Sequence, residues 1–281
     1  MKVLVTGSEG FVGRTLTDML LREKDHEGNI FKVSACDIKH ITPLYDGTQG
    51  PDLARESTAL RLIENGNFDV VVHLASSVST PGSVARPLET FRNTVRTAVH
   101  VLEGCRMAGT PCIMTSSVKA RDGMTPYGAA KRMVELWADE YRRAYGAPII
   151  INRPGTIYGP GQEGSTESGW IAWFLKAKAN GIKVTINGDG EQVRDLLHVT
   201  DYCHLLIRQM KDFGPYAEGI WDVGGGQRNT VTVREMVEYL GLDYEYGPPR
   251  YGDSEWYVGV NDAPDWEPQV YWKDAEVFRW R

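Results

Sequence analysis

Short, mainly apolar runs alternate along this chain with longer segments whose apolar residues recur every three or four positions. The runs are Val3 to Val5, Phe31 to Cys36, Phe68 to Ser76, Cys112 to Ser116, Pro148 to Asn152 and Ile220 to Val223. Val3 to Val5 is apolar throughout, without the polar alternation of a half-exposed strand, which suits a strand covered on both faces of a parallel sheet. Between the runs the period of 3.6 predicts helices over Phe11 to Arg22, Arg55 to Glu64, Leu88 to Ala108, Pro126 to Tyr145 and Thr200 to Met210. Strands and helices taking turns in this way imply an α/β fold with a doubly wound parallel sheet.

Beyond Pro154 the texture changes. Gly155 to Gly169 reads as a glycine- and serine-rich loop, Trp170 to Asn180 as a helix, Val184 to Ile186 as a short strand and Val231 to Leu240 as the last clear helix. Trp170 and Trp173, three apart, read first as a core stripe. From Gly247 on the chain is rich in Pro, Tyr and Trp and carries no regular period. Trp256, Trp266, Trp272 and Trp280 are expected to cover the smaller lobe that these residues build.

Composition narrows the classes. With 281 residues, 42% of them apolar and 24% charged, the chain has the makeup of an ordinary globule. A formal net charge of −6 offers no basic footprint for nucleic acid. No apolar stretch reaches membrane length and Met1 leads straight into a strand, so the expectation is a cytoplasmic protein without a membrane partner. Cys36, Cys105, Cys112 and Cys203 are scattered, with no paired spacing and no histidines beside them, so reduced, buried thiols and no metal site are expected.

Candidate chemistry begins at the first strand. Gly7, Gly10 and Gly13 follow it and open a helix with Phe11 and Val12. Gly7 suits a tight turn, Gly10 a backbone that approaches a pyrophosphate, and Gly13 close packing of helix on strand. Free amides at that helix start favour an anion. The second strand ends in Asp37, 24 residues beyond Gly13, where a carboxylate accepts both hydroxyls of an adenosine ribose and repels a 2′-phosphate. NAD is therefore favoured over NADP, although Lys39 and His40 lie close by. The third strand ends at His73-Leu74-Ala75-Ser76, on the edge where ligands of parallel sheets bind.

Tyr127 and Lys131, four apart on one helix face, bring an ammonium toward a phenol and are expected to lower its pKa. Thr115-Ser116-Ser117 ends the preceding strand at the same edge, so a serine hydroxyl there can share the tyrosine's substrate oxygen. Together these features describe proton transfer coupled to hydride transfer.

With Asp52-Leu53, Pro126-Tyr127-x-x-x-Lys131, Arg153-Pro154-x-x-Ile157-Tyr158-Gly159-Pro160-Gly161, Gly188-Asp189-Gly190-x-Gln192-x-Arg194-Asp195 and Arg250-x-Gly252-Asp253, the chain resembles the NAD-dependent epimerase/dehydratase family of extended short-chain dehydrogenases/reductases. The loop from Tyr158 through Trp170 to His198 is most similar to the CDP-tyvelose (CDP-paratose) 2-epimerase branch.

The resemblance implies a Rossmann domain over 1–155, to which 193–224 return, and a smaller C-terminal substrate-binding lobe from 156–192 and 225–281. It implies NAD as cofactor, a nucleotide-diphosphate sugar as substrate and a homodimer formed through the helices 88–108 and 126–145, with Val95, Val99, Leu102, Met133, Leu136 and Trp137 candidates either for that seam or, equally, for packing on the sheet. Tyr127 would be the acid and base, Lys131 the holder of the nicotinamide ribose, and Ser117, or Ser116 in its place, the holder of the reacting hydroxyl. Gly7, Gly10, Phe11, Val12, Gly13, Asp37, Asp52, Leu53, Leu74, Ala75, Ser76 and Pro154 would line the cofactor. Arg194 and Arg250 would grip the diphosphate, Asp253 would reach the ribose, and Thr156 stands where many relatives place a substrate-contacting asparagine.

The implied activity is epimerisation at C4 or C2 through a keto sugar, with reduction of a keto nucleotide sugar as the alternative. Two departures bear on the pocket. Ser117 lies only ten residues before Tyr127, and Val118-Lys119 replace the Asp-Glu pair of the dehydratase branch, which argues against 4,6-dehydration.

Overall fold

The computed structural model describes residues 1–38, 50–274 and 278; Lys39, His40 and Trp280 lie outside the described residues. In chain order the first half forms β1 (Lys2–Thr6), α1 (Phe11–Leu20), β2 (Lys32–Cys36), α2 (Glu56–Gly66), β3 (Val70–His73), α3 (Thr80–Ala85), α4 (Pro87–Phe91), α5 (Thr97–Ala108), β4 (Cys112–Thr115), α6 (Pro126–Tyr145) and β5 (Ile149–Pro154). The rest adds β6 (Thr156–Tyr158), α7 (Trp170–Asn180), β7 (Val184–Asn187), β8 (Val193–His198), α8 (Val199–Lys211), β9 (Ile220–Val223), β10 (Thr230–Thr232), α9 (Val233–Leu240), β11 (Tyr244–Gly247) and β12 (Trp256–Tyr257).

The large sheet runs β2-β1-β3-β4-β5-β9, and every neighbouring pair in it is parallel. Its order reverses between β1 and β3, where open α/β sheets leave a crevice beyond the carboxyl ends of their strands. Thr6 is in register with Cys36 on one side and with His73 on the other. The chain therefore leaves three strands side by side, at Gly7, Asp37 and Leu74.

Side chains of these strands feed two cores in turn. Val3 and Val5 pack with Leu16 and Leu206 from α1 and α8, while Leu4 packs with Ile63, Leu102 and Ala138 from α2, α5 and α6. β1 and β3 are buried on both faces and carry no polar alternation, whereas in the edge strand β2 Lys32 is exposed and Val33, Ser34 and Ala35 are half-buried. A third core, with Phe174, Ile186, Val237 and Trp272, fills the smaller lobe.

Several elements depart from the sequence pattern. The helix expected over 88–108 is α4 and α5 joined by a π turn over Arg92–Arg96, and α3 precedes it. A strand, β6, occupies part of the stretch expected to be a loop; it pairs with β8, whose hydrogen-bond partner lies forty residues away and leaves no local signal. With β6, β10 and β12, β8 forms a separate sheet, whereas α8 packs on α1 and β9 closes the edge of the large sheet. Trp272 covers the small-lobe core as expected, but Trp266 packs into the core beside α8 and Trp256 stands exposed.

All four cysteines are free and buried. Among the described residues no helix is long and apolar enough to cross a membrane.

A buried histidine ties β1 to β3. His73 Nδ1 lies 2.8 Å from the Thr6 hydroxyl, and burial, helped by Lys131, holds its pKa down to about 3 from the usual 6.5. The folded protein thus keeps His73 neutral while the unfolded chain protonates it, so this contribution is present above pH 6.5 and lost as pH falls toward about 3. Melting temperatures followed downward from pH 6.5 should fall less steeply for His73→Gln than for the natural chain. Equal slopes would contradict this assignment.

Candidate active site

A cavity of about 1080 Å³ opens along the carboxyl ends of β1, β2, β3, β4 and β5 and continues into the smaller lobe. Every site residue nominated from the sequence lines it. Gly7, Gly10, Phe11, Val12, Gly13, Asp37, Asp52 and Leu53 stand at one end; Leu74, Ala75, Ser76, Ser116, Ser117, Tyr127, Lys131 and Pro154 lie along the middle; and Thr156, Arg194, Arg250 and Asp253 are at the other end.

The first turn has the shape of an anion cradle. Gly7 sits at φ +70°, and a Cβ there would come within 2.7 Å of the Ala75 amide nitrogen. At Gly13 a Cβ would be driven into the Gly7 carbonyl. Gly10 begins α1 with no side chain capping the helix, so amides of the first turn face the cavity. These features, with Asp37 at the end of β2, fit a dinucleotide whose pyrophosphate rests on the helix start. Asp37 accepts the Glu9 amide at 3.1 Å. Asp52 is fixed by Arg92 at 2.5 Å and by the Ala54 amide at 3.0 Å. The π turn carrying Arg92 also brings Asn93 and Thr97 to the cavity wall, a use of π bulges common at functional sites.

The helix α6 is punctuated in the sequence. Thr125 accepts the Gly128 amide at 3.1 Å, Pro126 takes the first turn, and Gly146 ends the helix in the left-handed region. Tyr127 and Lys131 fall on its buried face. Lys131 Nζ donates to Ser76 Oγ at 3.1 Å and to the Thr115 carbonyl at 2.7 Å, and burial lowers its pKa to about 8 against the pull of Glu135.

Burial raises the Tyr127 phenol, with the Ser117 hydroxyl pulling the other way. No lowering by Lys131 of the kind expected from the i, i+4 spacing outweighs this burial; its ammonium donates to Ser76 and to the Thr115 carbonyl. Ser117 in turn accepts the Lys119 amide at 3.3 Å. Ser116 is committed elsewhere, donating to Glu135 Oε1 at 2.5 Å.

At the far end Arg194 is buried, pairs with Asp253 and stacks 4.9 Å from the centre of the Tyr257 ring. The Asn187 amide oxygen, oriented to satisfy both groups, accepts from Arg250 Nε and Nη2 at 3.1 and 3.0 Å. Trp170 and Trp173 are half-buried; they pack on the small-lobe core and also line the cavity, so the core reading accounts for one side of each ring.

Thr80, Asn187 and Tyr257 also line the cavity without any local signal for it, since each arrives through a tertiary contact. Lys119 stood out only as a departure from a family motif.

The profile of the NAD dependent epimerase/dehydratase family matches residues 3–224. The CDP-paratose 2-epimerase of Salmonella typhi is 25% identical, covering 100% of this chain and 99% of that protein. The structure of a UDP-glucose 4-epimerase from Thermotoga maritima with UDP-glucose is 26% identical, with a TM-score of 0.81 over 96% of this chain and 94% of that one. That of a Thermus thermophilus UDP-glucose 4-epimerase in complex with NAD is 27% identical, also at 0.81 and over the same shares. The glycine cradle, the Tyr127–Lys131 pair and this full-length likeness lead to one conclusion: the chain belongs to the NAD-dependent epimerase/dehydratase family.

Proposed function

We propose that the protein is a nucleotide-sugar epimerase that inverts one ring carbon, C4 or C2, by transient oxidation to a keto sugar and re-reduction on the opposite face. The observation that carries this reading is the meeting of Ser117, Tyr127 and Lys131 in one cavity with the glycine turn after β1. Relatives named for 2- and 4-epimerisation support the reaction class.

Tyr127 takes the proton of the ring hydroxyl, and Ser117 holds that hydroxyl and stabilises the phenolate. NAD, when bound, would supply the redox chemistry, as hydride acceptor and then donor. Gly7, Gly10 and Gly13 would hold its pyrophosphate with the amides of Phe11 and Val12, and Asp37 its adenosine ribose. Asp52 and Leu53 would flank the adenine, and Lys131 would hold the second ribose. Leu74, Ala75, Ser76 and Pro154 would wall the redox end. In the return half Tyr127 gives the proton back. Arg250 and Arg194 would orient the substrate diphosphate, with Thr156 and Asp253 beside it. Ser116, its hydroxyl taken by Glu135, supports the strand end rather than the substrate.

A panel of UDP-, GDP-, dTDP- and CDP-sugars, followed by NMR for the configuration of each ring carbon, tests this. The expected outcome is inversion at one carbon without net change in NADH absorbance; no turnover of any member would contradict it.

A homodimer is the assembly proposed for the chain. Leu88, Phe91, Met133, Leu136 and Trp137 are exposed on α4 and α6, whereas Val95 and Leu102 are buried within the subunit and are not available to a seam. An exposed apolar face of this kind marks an interface. Light scattering should give twice the chain mass of 31.4 kDa, and Leu136→Glu should halve it. A natural chain at 31.4 kDa would reject the dimer.

A further inference from the structure

The substrate end of the cavity holds a cation that the reading above leaves without a task. Lys119 lies two residues beyond Ser117 in a single 3-10 turn, and its own amide donates to the Ser117 hydroxyl. Its Nζ donates to the Thr80 hydroxyl at 2.8 Å and sits 5.0 Å from the centre of the Tyr257 ring, the ring on which Arg194 also stacks. Among the described residues no carboxylate lies within ion-pair distance of it. The two nearest acids are spent: Asp253 pairs with Arg194, and Asp122 accepts from the Tyr257 hydroxyl and the Met124 amide.

Charge balance gives this ammonium its meaning. A nucleoside diphosphate brings two or more negative charges into a partly desolvated pocket, where each requires a partner. Of the two arginines assigned to it, Arg194 is already neutralised by Asp253, so Arg250 alone would face the diphosphate. An unpaired ammonium beside Arg194 restores the balance. Burial holds Lys119 down to about 8, which is the shift an adjoining anion reverses.

We propose that Lys119 is a substrate-binding residue, the second effective cation of the diphosphate site, and that it contacts the phosphate that carries the sugar. This rests on the epimerase reading for the class of ligand and extends it to a residue outside the family motif. Because Lys119 adjoins Ser117, its anion lies on the sugar side of the diphosphate. Lys119 thereby ties diphosphate recognition to the serine that holds the reacting hydroxyl.

Calorimetry of the NAD-loaded protein with UMP, UDP, UDP-glucose and UDP-glucuronate tests the assignment apart from turnover. Loss of one charge-assisted phosphate contact predicts that Lys119→Met weakens UDP, UDP-glucose and UDP-glucuronate alike by roughly ten-fold or more and leaves UMP unchanged. Lys119→Arg should restore most of the loss, which guards against a misfolded variant. Identical binding by Lys119→Met and the natural chain would overturn the proposal, as would a loss confined to UDP-glucuronate, which would make Lys119 a reader of a sugar carboxylate. Absence of turnover by the natural chain with these binding differences intact would instead count against the epimerase reading alone.

Discussion

Tyr127→Phe is expected to abolish turnover while leaving the protein folded and able to bind NAD. The substitution removes only the hydroxyl, and the ring keeps its buried place on α6. Loss of a positioned acid and base typically costs 10²- to 10⁴-fold, and because this phenol serves both halves of the proposed cycle, a fall in kcat of about 10³-fold or more is expected. The substrate KM should change little, since the diphosphate is held at the other end of the cavity. A variant retaining a tenth of the natural kcat would remove Tyr127 from the chemistry.

The second large effect is expected in stability. Glu135 lies one turn beyond Lys131 on α6 and is almost wholly buried. It accepts from Ser116 Oγ at 2.5 Å and from Arg153 Nε and Nη2 at 2.8 and 2.6 Å. Arg153 reaches Asp222 at 3.9 Å, and Asp222 is paired with Arg121, so the network runs from the end of β4 across β5 to β9. Removing one partner of a buried ion pair costs about 3 to 5 kcal/mol because the other charge is stranded. Arg153 keeps some access to water and its distant contact with Asp222, so Glu135→Leu is expected at the lower end, about 3 kcal/mol. Urea unfolding at unchanged m-value should report it. A loss below about 1 kcal/mol would mean that the pair only offsets its own desolvation.

What the sequence made legible is what local physics writes. The ends of α6 are marked by Thr125, Pro126 and Gly146, and the expected range coincides with the helix. The run Val3 to Val5 reads as doubly buried because Leu4 and its neighbours feed two cores in turn. Every nominated site residue lines one cavity: strand ends of the large sheet supply one part of its wall, and α6, β8 and residues 250–253 the rest. What stayed hidden depends on partners distant in the chain. The strand β6 exists through β8, and Ser116 is taken by Glu135, 19 positions away. The π turn at Arg92–Arg96 carries no residue signature, and Lys119 gains its place from Thr80 and Tyr257. The i, i+4 spacing of Tyr127 and Lys131 was visible, but where the ammonium finds its partners was not.

In the proposed reaction a hydrogen leaves a sugar carbon and returns to it inside one site. Turnover of an accepted nucleotide sugar in D2O, with the product analysed by mass spectrometry and NMR, tests this directly. The prediction is an inverted product with protium at the inverted carbon and catalytic NAD unchanged in amount. Solvent deuterium at that carbon would place a deprotonation there instead, and would contradict the hydride path to which Tyr127, Ser117 and the glycine turn are assigned.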